Sequence, residues 1–233
     1  MNKFLYIGQQ NKLFYQFYGI KSDKLIFTPY AVNNDFFNQQ AITWKGKKEL
    51  IKSQLRIPPE SKVIVYSGKL IPKKNPVDLL NAFSNLKLKN KCFLIFMGDG
   101  ELRLEMENLI LEKSLTNVMI TGFVNQSEIS KYYSISDIYV MCSGVGETWG
   151  LSTNEAMNFG LPVLLSDMTG NADDLVKENG RVFRTNDTND LLHQLSEMVS
   201  MSDEDFSIMG DKSKIIVGGY SYEIIEEGLH HIS

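Results

Sequence analysis

From residue 62 onward, short apolar runs alternate with stretches whose apolar residues recur at helical spacing, and no other feature limits the fold as strongly. KVIVYSG, ending at Gly68, reads as a strand. NPVDLLNAFSNLK (75–87) reads as a helix, with Asn75 as its cap and Pro76 in its first turn. KCFLIFMG (91–98), VMITGF (118–123), DIYVMCS (137–143), PVLLSD (162–167) and GRVF (180–183) read as further strands. Helices are predicted at 101–114, with Leu102, Met106, Leu109 and Ile110 along one side, and at 125–136, with an Asn125-to-Glu128 capping box. Another is predicted at 151–159, stopped by Gly160 and Pro162. A short helix over 171–177 precedes longer ones at about 187–200, 203–214 and 221–231.

This order specifies an α/β fold: a Rossmann-like, doubly wound parallel sheet with helices on both faces. The strands are almost continuously apolar, as burial on both faces requires. Ligands of such sheets sit beyond the C-terminal ends of the strands. Those ends carry Ser67-Gly68, Gly98-Asp99-Gly100, Gly122, Ser143-Gly144 and Ser166-Asp167. One glycine at a strand end makes a tight turn; five small or polar strand ends together predict a binding crevice.

Residues 1–61 stand outside the repeat. KLIFTPY (24–30) reads as a strand after FLYIG and NKLFYQFYG, and a polar, lysine-rich helix is expected at about 45–54, before the break at Ile57-Pro58-Pro59. This portion is too short for a core of its own.

The chain has 233 residues and a net charge of −4, with no basic face of the kind a nucleic-acid binder presents. No apolar run approaches the ~20 residues of a membrane helix, and the first residues do not form a signal peptide, so the expected compartment is the cytoplasm. Cys92 and Cys142 fall in strands and are expected to be reduced core thiols. No Cys/His cluster suggests zinc, and His193, His230 and His231 lie near no nucleophile.

The turn after the first strand of the repeat is GKLIPKKNPVDLL, which is neither a dinucleotide fingerprint nor a P-loop. Lys69 and Lys74 flank it before a helix N-terminus, an arrangement that suits a diphosphate, although such a pair taken alone reads more simply as solvated surface lysines. The stretch GETWGLSTNEAMNFGLPVLLSD (146–167) carries Glu147 and, after seven residues, Glu155. Glu147 precedes Gly150 and is expected in a loop, whereas Glu155 is expected one turn into a helix. Between them lie the first helical N–H groups, Gly150 to Ser152, which favour an anion. Acceptor, anion site, acceptor is the order in which a sugar nucleotide offers sugar hydroxyls, diphosphate and ribose hydroxyls. The spacing alone carries little, because such a pair of glutamates arises readily by chance.

In its context, the stretch resembles retaining glycosyltransferases of family 4, which have the GT-B fold of two Rossmann-like domains. Their usual wording, close to E-G-F-G-L-x-x-x-E-A-M-x-x-G-x-P-V, is here ETWGLSTNEAMNFGLPV. Their G-R-L-x-x-x-K-G loop is matched by GKLIPKKN, their G-x-G-x segment by GDGE (98–101), and their G-[FYW] turn by Gly122-Phe123. PYAVNNDFF (29–37) loosely matches the interdomain linker. The resemblance covers nearly the whole chain, in order.

It implies that residues 37–233 form the C-terminal domain that binds the nucleotide-sugar donor, and that residues 1–36 are a remnant of the N-terminal acceptor domain with the linker. Phe4, Leu5, Phe14 and Phe17 of that remnant would be partly exposed, and the last helix would cross back toward it. By the same resemblance, Lys69 and Lys74 would hold the diphosphate, and Gly68, Gly98 and Asp99 would also bind the donor substrate. The amides of Gly150 and Leu151 would bind phosphate, Glu155 the ribose, and Phe123 after Gly122 would border the base. Glu147 would face the donor sugar near the anomeric centre. No metal or other cofactor is expected; the nucleotide sugar is a substrate. The implied reaction transfers a hexose, with retention, to a carbohydrate or lipid-linked acceptor in cell-surface, lipopolysaccharide or exopolysaccharide synthesis.

Two departures matter. Lys69 replaces an arginine and loses its bidentate phosphate geometry. Thr148-Trp149 replaces Gly-Phe, which is expected to make the loop bulkier and reshape the sugar pocket. Most of the acceptor domain is expected to be missing, so the chain would be active only with that half supplied in trans, and any peripheral membrane contact would run through it. The alternatives are a non-catalytic nucleotide-sugar binding or partner-docking module, or another GT-B enzyme such as an epimerase or phosphorylase; no pyridoxal-phosphate lysine motif is present for the last.

Overall fold

The computed structural model describes residues 2–230. Its main sheet has six parallel strands: β3 (Lys62–Ser67), β4 (Cys92–Met97), β5 (Val118–Gly122), β6 (Ile138–Met141), β7 (Val163–Ser166) and β8 (Gly180–Phe183), in spatial order β5-β4-β3-β6-β7-β8. The chain runs outward from β3 to β5, returns to the middle, and runs outward again from β6 to β8. The winding therefore reverses between β3 and β6, where a doubly wound sheet opens a crevice at its carboxyl edge.

Both faces are covered. Ile64, Leu94, Phe96 and Val140 face one core, closed by α4 (Pro76–Asn85), α5 (Arg103–Glu112) and α9 (Thr188–Val199). Val63, Val65, Ile95 and Tyr139 face the other, closed by α3 (Lys48–Gln54), α6 (Gln126–Ile135), α7 (Leu151–Asn158) and α10 (Asp203–Gly218). Successive strand residues feed opposite cores, which is why the strands read as unbroken apolar runs. Cys92 and Cys142 are buried free thiols, and burial pushes the Cys92 thiol up to about 11.

The segment before this sheet has its own small parallel pair, β1 (Phe4–Tyr6) with β2 (Leu25–Phe27), joined by α1 (Gln9–Phe17). It is tied to the larger body at both ends. The Gln9 amide donates to Asp174 Oδ2 at 2.8 Å, beside the short helix α8 (Ala172–Leu175). The last helix, α11 (Tyr222–His230), packs on β2, and a Cβ at Gly228 would come within 2.4 Å of the Phe27 carbonyl oxygen. Leu5, Phe14 and Phe17 remain exposed, Phe17 at 83%. Phe4 is half-buried against Tyr15. Residue 231, the expected end of the last helix and the site of His231, lies outside the described residues.

Several local expectations are corrected. Asn75 does begin α4 but makes no side-chain cap: it follows a tight turn over Pro72–Lys74, adopts φ 46°, and sends its amide to Asn186. The Asn125 capping box is absent, and the Glu128 amide bonds the Asn125 carbonyl instead. The capping box that does form is Ser202 with Asp205, at α10. The stretch read as linker contains α2 (Asn34–Trp44), capped by Asn33 through the Phe36 amide and running across positions 36 and 37. Its sequence is polar and amide-rich, and Phe37 is its one buried residue, so it shows little period. The lysine-rich α3 is not wholly polar either. Lys52 is buried and donates to the carbonyls of Pro59 and Ser61, closing the Pro58-Pro59 break, and burial lowers its pKa.

Candidate active site

A cavity of about 620 Å³ opens at the carboxyl edge of the sheet, at the reversal between β3 and β6. Every predicted site residue except Gly122 lines it: Gly68, Lys69, Lys74, Gly98, Asp99, Phe123, Glu147, Trp149, Gly150, Leu151 and Glu155. Gly122 instead packs behind the wall. It forms a bridge with Gly98, has φ 75°, and a Cβ there would meet Arg103 Nη1 at 3.2 Å.

The loops after β3 and β4 are joined by backbone. Gly68 N donates to Met97 O at 3.0 Å, Leu70 N to Asp99 O at 2.9 Å, and Leu102 N to Leu70 O at 3.0 Å. A Cβ on Gly98 would sit 1.8 Å from the Gly68 carbonyl oxygen, and one on Gly100 2.4 Å from that of Leu70. The GDG sequence thus lets two loops touch, in addition to lining a cavity. Asp99 accepts from the Gly100 amide and from Arg103 Nη1, each at 2.8 Å, and these bonds hold its carboxyl below the usual range. The Phe123 ring, beyond β5, is 79% exposed on the cavity rim, an open face for a planar group.

The loop from β6 to α7 is fixed from several directions. Lys73 Nζ donates to Gly146 O at 2.7 Å, Gly144 N donates to Lys73 O at 2.8 Å, and Gly170 N donates to Glu147 O at 3.0 Å. Of the two adjacent lysines, Lys73 is therefore spent on the loop, while Lys74 forms an ion pair with the Glu147 carboxylate inside the cavity. These two side chains are only 22% and 12% exposed. The resemblance assigned them to different ligand groups; in the structure they are paired with each other. Lys69 is exposed and makes no ion pair among the described residues.

Gly150 turns the chain into α7 with φ 86° and ψ 70°, and a Cβ there would lie 2.6 Å from the Met141 sulfur. Both facts demand glycine. No hydrogen bond engages the amides of Gly150, Leu151 or Ser152 among the described residues, so the first turn of α7 presents free donors to the cavity.

Trp149 corrects the expectation of a bulkier pocket loop. It contributes to the cavity wall, yet it is 1% exposed. Its Nε1 donates to Asn154 Oδ1 at 2.9 Å, and its ring meets Tyr30 edge-on at 6.4 Å and Tyr220 at 5.4 Å. A Cβ on Gly8 would come within 2.4 Å of it. The added bulk is absorbed by the N-terminal segment and the approach to α11.

Glu155 lies on α7 with its carboxylate accepting from the Tyr133 hydroxyl at 3.0 Å. Burial raises its pKa to about 7, and the Tyr133 bond opposes that rise. A carboxyl raised in the folded state favours folding most in acid, and its contribution declines as pH rises through about 7. Sequence reasoning missed Tyr133, which looks like any core aromatic on a helix. It also missed Met97, Val124 and Ile129 of the lining, apolar residues that belong to no motif, and read Tyr30 only as part of the linker.

A six-stranded parallel sheet with a cavity at its reversal matches the fold of the C-terminal Rossmann-like domains of GT-B glycosyltransferases. The sequence model for glycosyl transferases group 1 matches residues 47–213, well over half of the chain, and the protein belongs to that family. It is 33% identical over 174 residues to an uncharacterised glycosyltransferase of Haemophilus influenzae, covering 72% of this chain and 48% of that one. It is 27% identical over 136 residues to the lipopolysaccharide 1,2-N-acetylglucosaminetransferase of Salmonella typhimurium, covering 54% and 35%. The chain thus spans about half the length of these curated relatives or less. In structure it resembles Anabaena HepE in complex with UDP, with a TM-score of 0.84 at 16% identity, covering 99% of this chain and 63% of that one. Among the described residues no helix is long and apolar enough to cross a membrane.

Proposed function

We propose that this chain is the donor-binding half of a retaining family-4 glycosyltransferase, and that the cavity holds a nucleotide-diphosphate sugar. The observation that carries this reading is the free first turn of α7, opening between Lys74–Glu147 on one side and Glu155 on the other. The diphosphate would lie on the amides of Gly150 and Leu151, with Lys69 and Lys74 against its oxygens. Those groups neutralise the charge that grows on the departing nucleotide, and no metal is required for that task. Glu155 would accept from the ribose hydroxyls, Phe123 would border the base, and Glu147 would face the hexose. Transfer would go to a carbohydrate or lipid-linked acceptor at the cytoplasmic stage of cell-surface polysaccharide or glycolipid synthesis, with the acceptor held by a second domain over the cavity. Homologues named for lipopolysaccharide and glycolipid synthesis support that setting.

Calorimetry with UDP, GDP and ADP, and with their sugars, tests the reading. One nucleotide is expected to bind, and binding by none would overturn it. Glu155→Ala is expected to weaken nucleotide and nucleotide sugar alike, by about tenfold or more. Glu147→Ala is expected to retain nucleotide binding and lose preference among sugars. The chain by itself is expected to show little transfer or donor hydrolysis; full transfer without an acceptor domain would contradict its assignment as half of a site.

A further inference from the structure

Beneath the first turn of α7 lie two tyrosines with no solvent exposure, Tyr133 from α6 and Tyr139 from β6. Their rings meet at 6.4 Å. Their hydroxyls divide the support of α7 between them. Tyr139 OH meets Ser152 Oγ at 2.7 Å, and Ser152 Oγ donates to Ser67 O at 3.2 Å, tying α7 to the end of β3. Tyr133 OH donates to Glu155 Oε2 at 3.0 Å and reaches the Ser152 carbonyl only at 3.5 Å. Among the described residues no other hydrogen bond engages the Glu155 carboxylate.

We propose that Tyr133 is a positioning residue: it holds Oε2 of Glu155 so that Oε1 is presented, charged, to a pair of vicinal hydroxyls in the cavity. A fully buried phenol has no water to bond, so its hydroxyl needs a partner in the protein, and the nearby carboxylate supplies it. The bond favours the charged form of a carboxyl that burial otherwise drives toward neutrality. A neutral Glu155 would offer a weaker acceptor to a diol, so Tyr133 sets both the direction and the charge of the group that reads it. Other titratable groups around it are Tyr139 from β6 and, lining the same cavity, Tyr30, Lys69, Lys74, Asp99 and Glu147. None of them forms an ion pair with Glu155 among the described residues. The diol assignment rests on the donor reading above; the effect on Glu155 itself does not.

Two measurements separate them. In the ligand-free protein, NMR of isotope-labelled glutamate carboxyls follows the Glu155 titration, with Glu155→Gln identifying its signal. Tyr133→Phe, which keeps the ring, is expected to raise the midpoint by about one pH unit. Tyr139→Phe, which removes a hydroxyl bonded to Ser152 instead, is expected to leave it in place. Calorimetry with UDP, GDP and ADP gives the second measurement. Tyr133→Phe is expected to weaken the nucleotide that binds by about tenfold at neutral pH, with the part of the loss due to charge recovered in alkali and the part due to direction retained. An unmoved midpoint, or a loss of affinity equal at every pH, would overturn the proposal. A midpoint that moves in a protein binding none of the three nucleotides would leave Tyr133 as the positioner of Glu155 and remove the donor reading alone.

Discussion

Lys74→Ala is expected to reduce affinity for a nucleoside diphosphate by about 10- to 100-fold, as measured by calorimetry at fixed ionic strength. The direct loss is one charge-assisted contact to phosphate, about 1.5–3 kcal/mol. A second effect adds to it. Glu147, 12% exposed and paired with Lys74, would be left without its counter-charge beside an incoming anion. The enclosed setting screens that repulsion less than open solvent would. The two effects are separable by a double-mutant cycle. Lys74→Ala with Glu147→Gln is expected to bind more tightly than Lys74→Ala alone, because the unpaired charge is gone. If the double variant binds no better, the Lys74–Glu147 pair plays no part in admitting the diphosphate.

Trp149→Ala is expected to destabilise the fold by about 3–5 kcal/mol, the usual result of truncating a buried tryptophan. For a chain of this length, thermal unfolding should fall by roughly 6–20 °C. The cost is specific to the site. The cavity left would be bordered by Gly8, Tyr30 and Tyr220, which belong to three separate parts of the chain. Asn154 Oδ1, buried on α7, would lose its donor. Trp149→Phe loses that bond but keeps part of the packing, so it should cost distinctly less. A Trp149→Ala variant as stable as the native chain would mean that the N-terminal segment does not pack on the indole in solution.

The sheet was readable because most strands are nearly uninterrupted apolar runs and their ends carry glycine or a small polar residue. The two-core sheet and its reversal follow from that pattern. The gathering of Lys69, Lys74, Glu147 and Glu155 was readable for a related reason, since the first three lie in the loops after β3 and β6 and Glu155 lies on the helix that follows β6. What escaped depends on partners distant in sequence. Lys73 and Lys74 are neighbours of one type, and only the position of Gly146 and Glu147 decides which serves the loop and which faces the cavity. Trp149 reads as added bulk in the sugar-pocket loop until Gly8 and Tyr220 are brought beside it. The helix α2 is polar enough to pass for linker, because it is held by the Asn33 cap and by Asn34 reaching the carbonyls of Val217 and Tyr220 rather than by an apolar stripe.

The burial of Trp149 also gives the protein an internal optical reporter. The chain has two tryptophans, and the other, Trp44, lies at the end of α2. With Trp44 replaced by phenylalanine, ultraviolet emission comes from a single indole, shielded from water and wedged between the first turn of the N-terminal segment and the loop that bears Glu147. A nucleotide settling on the Gly150 amide and a displacement of that segment would both alter the colour of the same fluorophore. Stopped-flow mixing could then time the arrival of ligand at one end of the loop against the movement of its other flank, with no label attached.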